Sequence, residues 1–155
     1  MSTEPGPTAD LPNRRVLPTV EDTENFGREL AADLRAGDLV ILDGPLGAGK
    51  TAMARGIGAG LRVQGRITSP TFIIAREHRP AAPGGPAMVH VDAYRLGDLD
   101  ELDALDLDTD LTDSVVVVEW GEGVAERLSG RYLLVRLTRD LDTDERSVAY
   151  GWQVP

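Results

Sequence analysis

Apolar positions change period several times along the chain, and each change predicts an element. A short mixed run over residues 14–19 predicts a strand. Over residues 23–35, Phe26, Leu30 and Leu34 recur at i, i+4 and i+8, which predicts an amphipathic helix capped by Asp22 or Thr23 and stopped by Gly37. Residues 39–42 are continuously apolar, as expected of a strand buried on both faces. A glycine-rich segment and a helix to about Leu61 come next. Residues 72–77 and 88–95 predict strands, joined as an antiparallel pair by the Pro/Gly-rich stretch between them. A short acidic helix near 99–105 leads to residues 115–119, the most strand-like run in the chain. Residues 124–128 predict one or two helical turns, and 132–137 and 147–154 the final strands. This order predicts an α/β fold with a parallel centre and an antiparallel edge hairpin.

Composition narrows the chemistry. The 155 residues carry 16 Lys+Arg against 26 Asp+Glu, a formal net charge of -10, and Lys50 is the only lysine. With no cysteine, thiol catalysis, disulfides and Cys-based zinc sites are excluded. Two histidines, His78 and His90, leave little room for a multi-His metal centre. Eight acids between Asp98 and Asp113 have no base among them, a pattern that reads as a solvated face with Leu99, Leu102, Leu105 and Leu107 inward, or as a docking surface for a basic partner. High-affinity RNA binding by that stretch is disfavoured, since phosphates would be repelled. Residues 1–13, rich in proline and small polar residues, are expected to be a disordered tail, leaving 14–155 as a single domain. Neither a secretory signal nor a membrane-length apolar run is present, so a cytoplasmic protein with no membrane partner is expected.

Gly44-Pro45-Leu46-Gly47-Ala48-Gly49-Lys50-Thr51 fits G-x-x-x-x-G-K-[ST] at every specified position. Glycines let successive N–H groups turn inward as an anion nest, and the helix beginning near Lys50 aims its positive end at the same place. Lys50 would reach the β- and γ-phosphates of a nucleotide, and Thr51 would offer its hydroxyl to Mg²⁺. The apolar strand before the loop and the helix after it supply the expected setting, so the fold class sharpens to a three-layer sheet like that of P-loop NTPases. Such a site needs an acid at the end of a neighbouring strand. Asp92 and Glu119 both follow apolar runs and both qualify. His90 alternates with Asp92 and would share its face, as a hydrogen-bonded structural residue or as a base. His78, beside the Pro/Gly loop, is expected at the surface.

Four segments in register, GPLGAGKT, Ser69-Pro70-Thr71-Phe72, His90-Val91-Asp92-Ala93-Tyr94-Arg95-Leu96 and Val118-Glu119-Trp120, resemble the bacterial TsaE (YjeE) family, small ATPases of tRNA threonylcarbamoyladenosine biosynthesis. The resemblance spans about residues 14–120. It implies ATP binding by residues 44 and 46–52 (Ala52 included), with Thr71 in a switch-like segment near the γ-phosphate and Trp120 beside the nucleotide. It implies Mg²⁺ held by Thr51 and Glu119, and a catalytic set of Lys50, Asp92 and Glu119, with Asp92 near the attacking water or the metal. It also implies partnership with TsaD and TsaB, tRNA being reached only through that complex. Asp106 stands where the family pattern has glycine, and Asp110 where it has an aromatic.

Two other classes share a P-loop. A small-molecule kinase would close an Arg-bearing lid over its substrate, and no lid-sized insertion is present. A nucleotide-dependent switch without turnover is the second. A guanine-reading N-K-x-D motif is impossible with the only lysine in the P-loop, which favours ATP. Residues 21–23 and the arginines of the last strands are unranked candidates for contacting adenine.

Overall fold

The computed structural model describes residues 11–45, 49–65, 75–92, 113–119 and 130–154; the side chain of Asp92 is outside this description. Its elements are β1 (Asn13–Leu17), α1 (Val20–Ala31), β2 (Leu39–Asp43), α2 (Lys50–Leu61), β3 (Ala75–His78), β4 (Ala87–Asp92), β5 (Ser114–Glu119), β6 (Tyr132–Arg139) and β7 (Arg146–Gln153). The strands form one sheet in the order β1-β7-β6-β2-β5-β4-β3. β6, β2, β5 and β4 run parallel, as expected for the centre. The expected hairpin of β3 and β4 forms one antiparallel edge. The opposite edge is antiparallel too, through β6, β7 and β1, which the sequence reading did not specify.

Each central strand is buried on both faces, which is why β2 and β5 read as unbroken apolar runs. Alternation sorts their side chains onto two cores. Val40, Leu42, Met88, Val115 and Val117 pack with Phe26, Leu30, Met53, Ile57 and Leu61 beneath α1 and α2. Leu39, Ile41, Val89, Val91, Val116 and Val118 form the second core on the reverse face. The expected helices near 99–105 and 124–128 lie outside the described residues, as does whatever third layer they would build. α1 and α2 approach closely: a Cβ added to Gly56 would lie 2.0 Å from the Glu24 carbonyl oxygen, and one on Gly27 2.6 Å from that of Met53. Arg55 Nε, donating to Glu24 Oε2 at 2.8 Å, ties the same crossing.

Several boundaries differ from expectation, and three of the differences bear on capping and packing. Thr19, read as strand, is the N-cap of α1: its hydroxyl accepts from the Asp22 N–H at 3.1 Å, and the Asp22 carboxylate accepts from the Thr19 N–H at 3.0 Å. This reciprocal capping box starts the helix at Val20 instead of Thr23. The helix ends at Ala31, and Leu34 is buried from the turn that follows. Leu11 and Asn13, assigned to the tail, belong to the folded part: Leu11 is buried in the second core and Asn13 pairs with Tyr150. No helix among the described residues is long and apolar enough to cross a membrane.

Candidate functional site

The carboxyl ends of β2, β4 and β5 meet the N-terminus of α2. β2 delivers the chain to Gly44, whose φ of +145° lies outside the range L side chains favour. A Cβ there would also lie 2.5 Å from the Leu137 carbonyl oxygen, so the loop leaves the sheet against the backbone of β6. Just before it, Arg136 Nε of β6 donates to Asp43 Oδ2 at 2.9 Å, clamping the end of β2.

Gly49 caps α2 in the left-handed conformation with no side-chain cap, and no acid stands in the first turn. The first N–H groups of a helix lack intrahelical partners, so this end presents donors and a positive dipole. Lys50 is buried at its first position, 5% exposed, and its Nζ donates to the carbonyls of Gly44 and Pro45 at 2.7 and 2.9 Å. The ammonium is therefore held by the carbonyls of the two residues that follow β2. Thr51 follows. Its Oγ1 donates to Glu119 Oε2 at 3.4 Å, across 68 residues of sequence. Glu119, 5% exposed, ends β5 beside Leu42 on one flank and Asp92 on the other. A hydroxyl and a carboxylate at this distance form a hard-oxygen donor set. That suits Mg²⁺, which takes one or two protein oxygens and completes its shell with phosphates and water. No cluster of three or more His, Asp or Glu among the described residues offers a different metal site.

His90 is fully buried on β4, and its Nε2 lies 2.5 Å from Glu119 Oε2. Of the sequence-derived candidates, Gly44, Gly49, Lys50, Thr51 and Glu119 thus converge on one strand-end crevice, with Ala52 buried in the first turn. Asp92 reaches the same level by register, directly opposite Glu119. Leu46, Gly47, Ala48, Thr71 and Trp120 lie outside the described residues, as do Ser69, Pro70, Tyr94 and Arg95. His78 is not at the surface. It is 5% exposed, its Nδ1 is 3.2 Å from the Gln64 carbonyl oxygen, and burial pushes its pKa below the ordinary value.

Two neighbours of the loop were only unranked candidates in the sequence. A Cβ on Gly49 would lie 3.5 Å from Arg146 Cδ and 3.6 Å from Thr23 Cγ2. Thr23 of α1, fully buried, and Arg146 at the start of β7 therefore lie beside Gly49. Sequence distance hides this, because they meet only after β1 pairs with β7, placing Leu17 opposite Arg146.

Comparisons with known proteins agree with this geometry. The profile of TsaE, the threonylcarbamoyl adenosine biosynthesis protein, matches residues 17–148. The tRNA threonylcarbamoyladenosine biosynthesis protein TsaE of Mycobacterium tuberculosis is 61% identical over 142 residues, covering 88% of this chain and 84% of that protein. The TsaE of Streptomyces coelicolor is 61% identical over 115 residues, 74% of this chain and 77% of its own. Among solved structures, Bacillus subtilis YdiB superposes with a TM-score of 0.69 at 28% identity, over 92% of this chain and 86% of that one. With Lys50, Thr51 and Glu119 brought together at the parallel centre of a mixed sheet, and with these relatives, this chain belongs to the TsaE family of tRNA threonylcarbamoyladenosine biosynthesis proteins.

Proposed function

We propose that this TsaE-family protein binds ATP with Mg²⁺ and hydrolyses it, and that hydrolysis supports a TsaB–TsaD complex forming threonylcarbamoyladenosine in tRNA next to the anticodon. The observation that carries this reading is the approach of Thr51 Oγ1 to Glu119 Oε2 at 3.4 Å, one residue from the buried ammonium of Lys50. Phosphoryl transfer to water needs positioning and charge neutralisation more than covalent chemistry, and a crevice holding one lysine, one hydroxyl and a strand-end acid suffices for that.

In this reading the backbone of residues 44–49 cradles the phosphates, together with the first turn of α2 through Ala52. Lys50 leaves the Gly44 and Pro45 carbonyls for the β- and γ-phosphate oxygens. Thr51 and Glu119 hold Mg²⁺, which when bound neutralises charge on those oxygens. Asp92 orients the attacking water, Thr71 senses the γ-phosphate, and Trp120, Thr23 and Arg146 bound the nucleoside. The net charge of -10 argues that tRNA is met through the partners and not directly.

The test is phosphate release from ATP by the protein alone and with purified TsaB and TsaD. Slow release alone and faster release in the assembly are expected, each cut at least about 100-fold by Lys50→Ala or Glu119→Ala. A phosphorylated small molecule in place of free phosphate would overturn the reading in favour of a kinase. ATP left uncleaved with both partners present would make the protein a switch without turnover.

A further inference from the structure

Building on the Mg²⁺–ATP reading above, we infer that His90 is a positioning residue for Glu119: its buried imidazole holds the carboxylate in the orientation in which that carboxylate serves the metal. β4 and β5 are parallel neighbours in which His90 faces Val117 and Asp92 faces Glu119. Met88, Val115 and Val117 line the core beneath α1 and α2, and alternation puts His90 and Glu119 on that same face, at its upper end. His90 reaches diagonally forward, and its Nε2 meets Glu119 Oε2 at 2.5 Å. A carboxylate only accepts, so Nε2 is the donor.

Three observations make this contact more than packing. First, His90 is 0% exposed, so the ring has no water to turn to, and the face it shares continues as the apolar Met88, Val115 and Val117. Second, its other nitrogen, Nδ1, is buried without a hydrogen-bond partner among the described residues. The imidazole thus gives up one polar atom and spends the other on Glu119, which a leucine at this position would not require. Third, the other described donor to that oxygen, Thr51 Oγ1, stands at 3.4 Å, long for an O–H···O bond. Without His90 the Glu119 side chain, with three rotatable bonds, keeps only that weak tether among the described residues. Neither bond uses Oε1. Partners of this kind, behind a metal-holding group, typically contribute 10- to 100-fold in metal affinity.

The experiment compares wild type, His90→Leu and His90→Gln, each saturated with ADP, for Mn²⁺ affinity by electron paramagnetic resonance, and for ADP affinity in EDTA. His90→Leu is expected to weaken Mn²⁺ binding about tenfold and leave ADP binding in EDTA within about twofold. His90→Gln, whose amide keeps a donor, is expected to recover most of the loss. Unchanged Mn²⁺ affinity in folded His90→Leu would overturn the inference, and so would an equal loss in His90→Gln, which would mean packing alone. Should His90→Leu fail to fold, imidazole ¹⁵N signals of the wild type give the same answer, because the chain has 2 histidines and His78 is the internal control. Mg²⁺ added to the ADP complex is expected to shift the His90 ring and leave His78 in place; a His90 signal unmoved by bound Mg²⁺ would sink the idea. A wild type that takes up no Mn²⁺ with ADP would overturn the Mg²⁺–ATP reading itself. That result is distinct from a wild type that binds the ion no better than His90→Leu.

Discussion

On β4 and β5, the face of the sheet beneath α1 and α2 changes character within two residues. Its lower part is Met88, Val115 and Val117, all fully buried and apolar. Its upper part is His90 and Glu119, also buried but polar, with Lys50 and Thr51 above them. In the lower part the limit is volume, because α1 and α2 meet so closely that Gly56 has no space for a methyl group. In the upper part the limit is partnership, since a buried polar atom deprived of its partner loses more than the bond was worth. Folding energy and site chemistry thus occupy one surface but answer to different substitutions.

Substitutions can separate the two halves. The largest effect is expected from Gly56→Ala, whose Cβ would stand 2.0 Å from the Glu24 carbonyl oxygen. Both helix backbones must shift to admit it, so denaturant unfolding should show a loss of about 3 kcal/mol. A loss under about 1 kcal/mol would mean that the crossing is looser than its geometry. Thr19→Ala removes half of the capping box and should cost about 1 kcal/mol by the same measurement, with ATP hydrolysis barely altered.

The two buried histidines sharpen the contrast. His78 lies away from the crevice, and desolvation by burial lowers its pKa below 6.5. Its folded pKa being the lower, the unfolded chain binds the proton more readily. Stability is therefore complete above about pH 6.5 and declines as the pH falls below it towards the folded value. As the pH is lowered from about 7 to about 5, the thermal midpoint should fall for wild type and fall less for His78→Gln. The smallest effect is reserved for Arg15, whose ion pair with Glu29 is exposed on both sides, 42% and 58%. Arg15→Ala should change stability by under about 0.5 kcal/mol by denaturant unfolding.

How much of this was legible follows from what sequence can carry. β2 and β5 were plain because strands buried on both faces are written as unbroken apolar runs. The G-x-x-x-x-G-K-[ST] motif was plain because it lies within eight consecutive residues. The start of α1 was misplaced because Thr19 and Asp22, read singly, extend a strand and cap a later helix, and only their reciprocal bonds reveal one device. His78 was placed outside because a Pro/Gly loop follows it, whereas the Gln64 carbonyl beyond α2 closes over its ring. The Arg136–Asp43 clamp spans 93 residues and the His90–Glu119 contact 29, and no local spacing encodes either. They exist only once strand order and register are fixed.

The solitary lysine has a consequence for proteolysis. A protease that cuts only after lysine has one target in the whole chain, the bond between Lys50 and Thr51. That bond lies in the first turn of α2, with the Lys50 side chain buried and tied to the carbonyls of Gly44 and Pro45. A protease cannot take an intact helical turn into its cleft, so cutting requires the turn to open. The rate of a single cleavage, read as two fragments on a gel, therefore reports how often this one turn unravels. The chain carries its own probe of local opening at the start of α2, the turn to which the proposed function assigns the nucleotide.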